Sequence, residues 1–221
     1  MEKLQLSAEP LCLEQSWDSD GVDVLHAALT LPQAEGTGRR ARRFDRYYRQ
    51  LGRAYLRYCA LELLPQAEAK LRAAQEVSAP FSPAEAALRY TVTYEGEEYL
   101  SLYTDARESG LTPRLTIRRA ETWARREGLP VPLSEFFPRR CPWRARLLER
   151  AREQIEAQLA AGVAAYYPDW RRALRRSFCS RNFYLTGEGL AIFYPMYTVA
   201  PAAEGIVTYF LPYGEVEGFI I

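Results

Sequence analysis

Arginine is the residue type through which this sequence has most chemistry to offer. Among 29 basic residues only Lys3 and Lys70 are lysine, which leaves 27 arginines. Each is a planar fork suited to carboxylates, phosphates and aromatic faces. Eight of them, Arg39, Arg40, Arg42, Arg43, Arg46, Arg49, Arg53 and Arg57, share one stretch with a single acid, Asp45. Arg42, Arg46, Arg49, Arg53 and Arg57 recur at spacings of three and four, which sets them in a line along one side of a helix. Such a line can neutralise phosphates, each contact making binding more salt-sensitive. Arg46, Arg49 and Arg53 at its centre are the candidate anion-binding residues. A charged helix face is ordinarily just solvated, and a formal net charge of +1 supplies no long-range field favouring nucleic acid, so nucleic acid is not an expected partner. Further arginines cluster at Arg139, Arg140, Arg144 and Arg146, and at Arg171, Arg172, Arg175 and Arg176.

Groups that make and break bonds are sparse. The single histidine, His26, lies in the alternating run Val22-Asp23-Val24-Leu25-His26, which points to a strand position rather than a ligand or base. Cys12, Cys59, Cys141 and Cys179 are scattered, without a C-x-x-C pair or metal spacing, and are expected to be buried free thiols. The sequence shows no nucleophile elbow, P-loop, dinucleotide glycine fingerprint or H-E-x-x-H helix. We therefore expect no enzyme, no catalytic residue, no metal and no cofactor.

The elements that position these residues follow from periodicity. Lys3 to Leu13 and Val22 to Leu31 predict two strands joined by the turn cluster Asp18-Ser19-Asp20-Gly21. Phe44, Tyr48, Leu51, Tyr55 and Tyr58 form an apolar stripe on a helix from Arg39 to about Leu63. Pro65 should end or kink that helix before further turns over Gln66 to Gln75. Ala87 to Tyr103 predicts a hairpin turning at Glu95-Gly96-Glu97, and Arg114 to Arg119 a further strand. Leu129 to Phe137, with two prolines, reads as an extended or edge segment. Leu147, Ala151, Ile155 and Leu159 mark an amphipathic helix from Pro142 to Ala161, stopped at Gly162. A short helix over Asp169 to Arg176 leads to strands at Asn182 to Thr186, Leu190 to Tyr194 and Ile206 to Leu211. The fold class expected is α+β, an antiparallel sheet covered by helices, in two packed halves sharing a core. Length supports this, since 221 residues suffice for one large domain or two intimate halves.

The last hundred residues carry a more specific signal. Leu133-Ser134-Glu135-Phe136-Phe137, an amphipathic helix, the run from Asn182 to Tyr194 and then Tyr197-Thr198-Val199-Ala200-Pro201-Ala202-Ala203-Glu204-Gly205-Ile206 follow in order. This series resembles the domain family of unknown function found at the C terminus of the lysozyme-sensing anti-sigma factor RsiV. It is also similar to the accessory region of the peptidoglycan deacetylase PdaC. On that resemblance residues 121–221 form the RsiV C-terminal-like domain, and residues 1–120 an N-terminal strand-helix-strand module matched by layout. The resemblance implies a non-catalytic binding module, tied to cell-envelope stress, whose partner is a lysozyme-like protein or wall-associated ligand. The alternative is a cytosolic anion- or protein-binding protein that uses the arginine-rich helix face. Relatives often carry a Gly-Gly-Ala-His-Gly-like turn where this chain has Glu108-Ser109-Gly110-Leu111-Thr112, without histidine.

For a partner surface the candidates are Tyr194, Met196 and Tyr197, because Tyr and Met presented on a rigid sheet are common contact material. Burial is expected for at least one of the two tyrosines. No run reaches the ~18 to 20 apolar residues of a membrane span. Glu2, Glu9, Glu14 and Asp18 interrupt the first twenty residues, which therefore do not read as an export signal. A cytoplasmic location is expected on that ground, whereas the family relatives are extracytoplasmic.

Overall fold

The structure, a computed structural model, describes residues 3–111, 115–215 and 219. Among them nine strands and four α-helices follow in the order β1 (Leu11–Ser19), β2 (Val22–Leu31), α1 (Arg39–Tyr58), α2 (Leu64–Glu76), β3 (Ala84–Glu95), β4 (Tyr99–Ser109), β5 (Thr116–Ala124), β6 (Leu129–Pro130), α3 (Trp143–Ala161), α4 (Trp170–Arg176), β7 (Phe183–Leu185), β8 (Gly189–Tyr194) and β9 (Val207–Pro212). Strands β1 to β6 form one sheet in sequence order, and β7, β8 and β9 form a second. The class is α+β, with antiparallel pairing predominant. No helix among the described residues is long and apolar enough to cross a membrane.

The chain divides into two compact units. The first comprises Met1–Tyr90, Thr104–Thr116 and Arg126–Leu129; the second Thr91–Tyr103, Ile117–Arg125 and Pro130–Ile221.

In the first unit β1 and β2 make a hairpin whose two-residue turn is Asp20-Gly21, with φ of 53° and 77°. Two successive positive φ values define the turn whose twist matches antiparallel strands, and Asp-Gly is among the sequences that adopt it. This pairing sets the first strand at Leu11–Ser19, where alternation alone places it at Lys3 to Leu13. Residues before Leu11 contribute an isolated bridge, Leu6 to Ala34. β2 pairs with β3 in parallel, a departure from the all-antiparallel expectation. Two strands running the same way need a crossover, and α1 with α2 supplies it.

α1 buries Ala41, Phe44, Tyr48, Gly52 and Tyr55, while Leu51 and Tyr58 of the expected stripe are only half-buried. The stripe turns through Gly52 because the helix lies close on β2: a Cβ there would come within 2.7 Å of the Leu31 side chain. Between α1 and α2 the segment Cys59–Leu63 is π-helical, and the Leu64 N–H donates to the Cys59 carbonyl. The helical path thus continues through Pro65, which sits in the first turn of α2 and has no N–H to leave unpaired.

In the second unit α3 buries Leu147, Ala151 and Ile155 and ends at Gly162, whose φ of 65° suits glycine. Leu159 of the expected stripe is exposed. The apolar core gathers Leu133, Phe136, Trp170, Leu174 and Tyr209 with the hairpin residues Phe183, Leu185, Leu190, Ile192 and Tyr194. Every residue of β8 is buried, which requires cover on both faces. The Ser101 hydroxyl in β4 fastens this assembly: it accepts from the Leu185 N–H at 2.9 Å and lies 2.8 Å from the Thr122 hydroxyl. A buried edge N–H of β7 is thereby satisfied. The expected strand beginning at Arg114 is observed over Thr116–Ala124; Arg114 itself lies outside the described residues, as does Thr112.

Candidate functional site

The arginines of α1 separate into two groups. Arg40 and Arg43 are structural. Arg40 donates to the Arg126 carbonyl, and Arg43 donates to the carbonyls of Glu127 and Gly128 at 3.2 Å each. They clamp the turn at residues 126–128, where Gly128 has a φ of 63° and no room for a Cβ against Arg40. Arg42, Arg46, Arg49, Arg53 and Arg57 are exposed, and their guanidinium groups make no hydrogen bond or ion pair among the described residues. The one acid of the helix does not compensate them, since Asp45 accepts the Ala34 N–H at 2.8 Å. At about 1.5 Å of rise per residue, the five form a line ~22 Å long with a cation every 4.5 to 6 Å. Arg46, Arg49 and Arg53 occupy its middle, as their spacing predicts.

The three residues proposed from the second half part company. Tyr194 is only 1% exposed, and its hydroxyl donates to the Leu174 carbonyl at 2.9 Å. Burial raises its pKa. Its ring meets Tyr209 edge-on in the core. Tyr194 is therefore removed from the candidate surface, because the strand that carries it is covered on both sides. Met196 is half-buried, and Tyr197 is 46% exposed with a φ of 61°. A non-glycine residue at positive φ is uncommon, and here it directs an aromatic ring outward.

Other reactive groups are built into the structure. His26 lies in β2, with Nδ1 3.0 Å from the Ser16 hydroxyl of the neighbouring strand. The four cysteines are free thiols, but only Cys59 is buried; Cys12 is exposed and Cys141 and Cys179 are half-buried, so the expectation of buried thiols holds for one of four. Cys59 adjoins Glu108 and Tyr58. Burial, and then the Glu108 charge, push the Cys59 thiol up to about 12, which leaves it protonated and inert at neutral pH. Burial also raises Glu108, opposed by a hydrogen bond from the Tyr58 hydroxyl. Burial and that same bond push Tyr58 up to about 12. In the second unit the Arg118 guanidinium stands 3.7 Å from the Tyr103 ring centre and within 6 Å of Tyr184 and Phe193. This aromatic box is filled by the chain's own cation.

The sequence did not reveal a cleft between α3 and α4. Ala145, Leu148, Glu149 and Arg152 line one wall and Trp170, Arg171, Leu174 and Arg175 the other, around a volume of about 270 Å³. Arg171 and Arg175 stand out in the sequence only as part of a basic cluster. The usable signal is the spacing on each wall, where residues three and four apart share a helix face.

Comparison with known proteins places the second half of the chain. A family model described as "Protein of unknown function (DUF3298)" matches residues 135–214, so this segment is a DUF3298 domain. None of the curated proteins matches. Two crystal structures of DUF3298 family members are similar over nearly the full length. One, from Bacteroides fragilis, has a TM-score of 0.71 at 12% identity and covers 99% of this chain and 94% of its own. The other, from Pseudomonas aeruginosa, has a TM-score of 0.63 at 14% identity and covers 98% and 95%. At these identities the likeness speaks for the fold.

Proposed function

We propose that this protein is a non-catalytic binding module whose partner is a linear polyanion, held along the exposed face of α1. The observation that carries this reading is the line of five uncompensated arginines. Like charges at neighbouring helix positions cost stability, so a face that stacks five of them at close intervals gains from an anionic chain. Among partners implied by a resemblance to the RsiV domain, wall-associated polymers bearing phosphate or carboxylate groups fit this face. The chemistry of the interior supports binding over catalysis, since burial pushes the Cys59 thiol of the first unit up to about 12, which leaves it without nucleophilic thiolate at neutral pH.

A second reading, recognition of a lysozyme-like protein, is favoured by the exposed Tyr197 beside Met196 on the DUF3298 domain. Calorimetric titration separates the two. Polyphosphate should bind in low salt, with binding weakened and less salt-dependent in an R46A/R49A/R53A variant. Lysozyme binding that disappears in Tyr197→Ala and survives the arginine variant would transfer the function to the loop.

A further inference from the structure

The α3–α4 cleft combines an apolar floor with a charge imbalance of one. Leu148 is half-buried, and Trp170 and Leu174 are 4% and 2% exposed. Above this floor the charges form a braced chain. Arg152 donates to both Glu149 and Glu156, and Arg171 donates to Glu156 at 3.1 Å while lying 4.5 Å over the Trp170 ring. The Arg152 bond is the largest influence holding Glu149 below the usual carboxylate range. Two glutamates thus satisfy Arg152 and Arg171. Arg175 remains: it lines the same cleft near enough to Glu149 for its charge to help lower that carboxyl, but its guanidinium makes no hydrogen bond or ion pair among the described residues. Its backbone carbonyl accepts from Arg144, which ties down the helix carrying it.

We propose that the cleft is a binding site for a small amphiphilic monocarboxylate, with its apolar body against Leu148, Trp170 and Leu174 and its carboxylate on Arg175. One unpaired guanidinium matches one carboxylate, and the fork geometry allows a bidentate pair. The volume lies just below the usual range for small-molecule sites, which suits an aryl or short alkyl acid. Because the glutamate-arginine chain fixes the neighbouring side chains before binding, little ordering remains to oppose it. This site is separate in residues and chemistry from the arginine line of α1, and neither depends on the other.

The test is titration with 4-phenylbutyrate, followed by calorimetry and by amide shifts in ¹⁵N-labelled protein. Shifts should concentrate at residues 145–152 and 170–175. The neutral amide, 4-phenylbutyramide, and the variant Arg175→Gln should each weaken binding about tenfold or more, whereas Arg176→Gln, an exposed neighbour outside the lining, should leave it unchanged. N-acetyl-Ala-Phe in a parallel arm identifies the source: tighter binding than phenylbutyrate assigns the site to a peptide C terminus, and weaker binding to a free acid. Equal affinity for acid and amide, unchanged affinity in Arg175→Gln, or shifts elsewhere in the protein overturn the proposal.

Discussion

Replacing Arg46, Arg49 and Arg53 together with alanine isolates the proposed polyanion surface. All three are exposed and without partners among the described residues, and alanine has the best helix propensity. The fold should survive, each exposed substitution costing no more than about 0.5 kcal/mol. Adjacent cations in the line stand closer than the ~8 Å Debye length at physiological salt, so they act on one anionic chain together. Taking about 0.7 units of log K per log salt for each neutralised phosphate on a single strand, five contacts predict a slope near −3.5. Two contacts predict one near −1.4. Between 50 and 200 mM salt the wild type should lose ~130-fold in affinity and the variant ~7-fold. Fluorescence anisotropy with a labelled oligothymidylate serves as the assay, the oligonucleotide acting as a polyanion of known charge spacing. An R139A/R172A/R176A variant removes the same charge from exposed positions in the other unit. Equal slopes for the two variants, or a wild-type slope shallower than about −1.5, would refute the reasoning.

Three further outcomes follow from the packing. Ser101→Ala removes the acceptor for the Leu185 N–H and the partner of Thr122; a buried unpaired donor should cost about 2 kcal/mol in chemical denaturation, or roughly 4 to 8 °C in melting temperature. Gly189→Ala drives a Cβ into the Leu211 carbonyl of the adjacent strand, where backbone cannot yield cheaply, and should destabilise by about 2 kcal/mol or more in the same assay. Glu108 has a folded pKa raised by burial, so its contribution to stability is full below the unfolded pKa and fades as pH rises through the folded value. Glu108→Gln should therefore flatten the stability profile above the ordinary glutamate range, and an unaltered profile from pH 4 to 8 would contradict the buried placement.

Much of the fold is written in local pattern. The spacing of Phe44, Tyr48 and Tyr55 predicts α1, Pro142 and Gly162 bracket α3, and the glycines at 187 and 189 mark the hairpin of β7 and β8. What local pattern omits is pairing. Alternation at Lys3 to Leu13 resembles a strand, yet the Asp20-Gly21 turn dictates that residues 11–19 face β2. The parallel match of β2 to β3 depends on a crossover of some fifty residues, which no short window contains. The π-helical turn before Pro65 is hidden for a related reason, since proline marks the missing donor but not how the helix adjusts. Of the site, the arginine line is plain from spacing alone, but its lack of partners is a tertiary fact. Tyr194 shows the converse, because type and position suggest a contact residue while both faces of its strand are covered. The α3–α4 cleft joins side chains some twenty-five residues apart, and only the packed helices bring them together.

Hydrogen exchange with and without polyphosphate at low salt tests the binding account most directly. The account predicts slowed exchange along residues 39–58 in the wild type and clearly less slowing there in the R46A/R49A/R53A variant at the same polyphosphate concentration. Protection confined to other segments, or equal protection of α1 in both proteins, would contradict it.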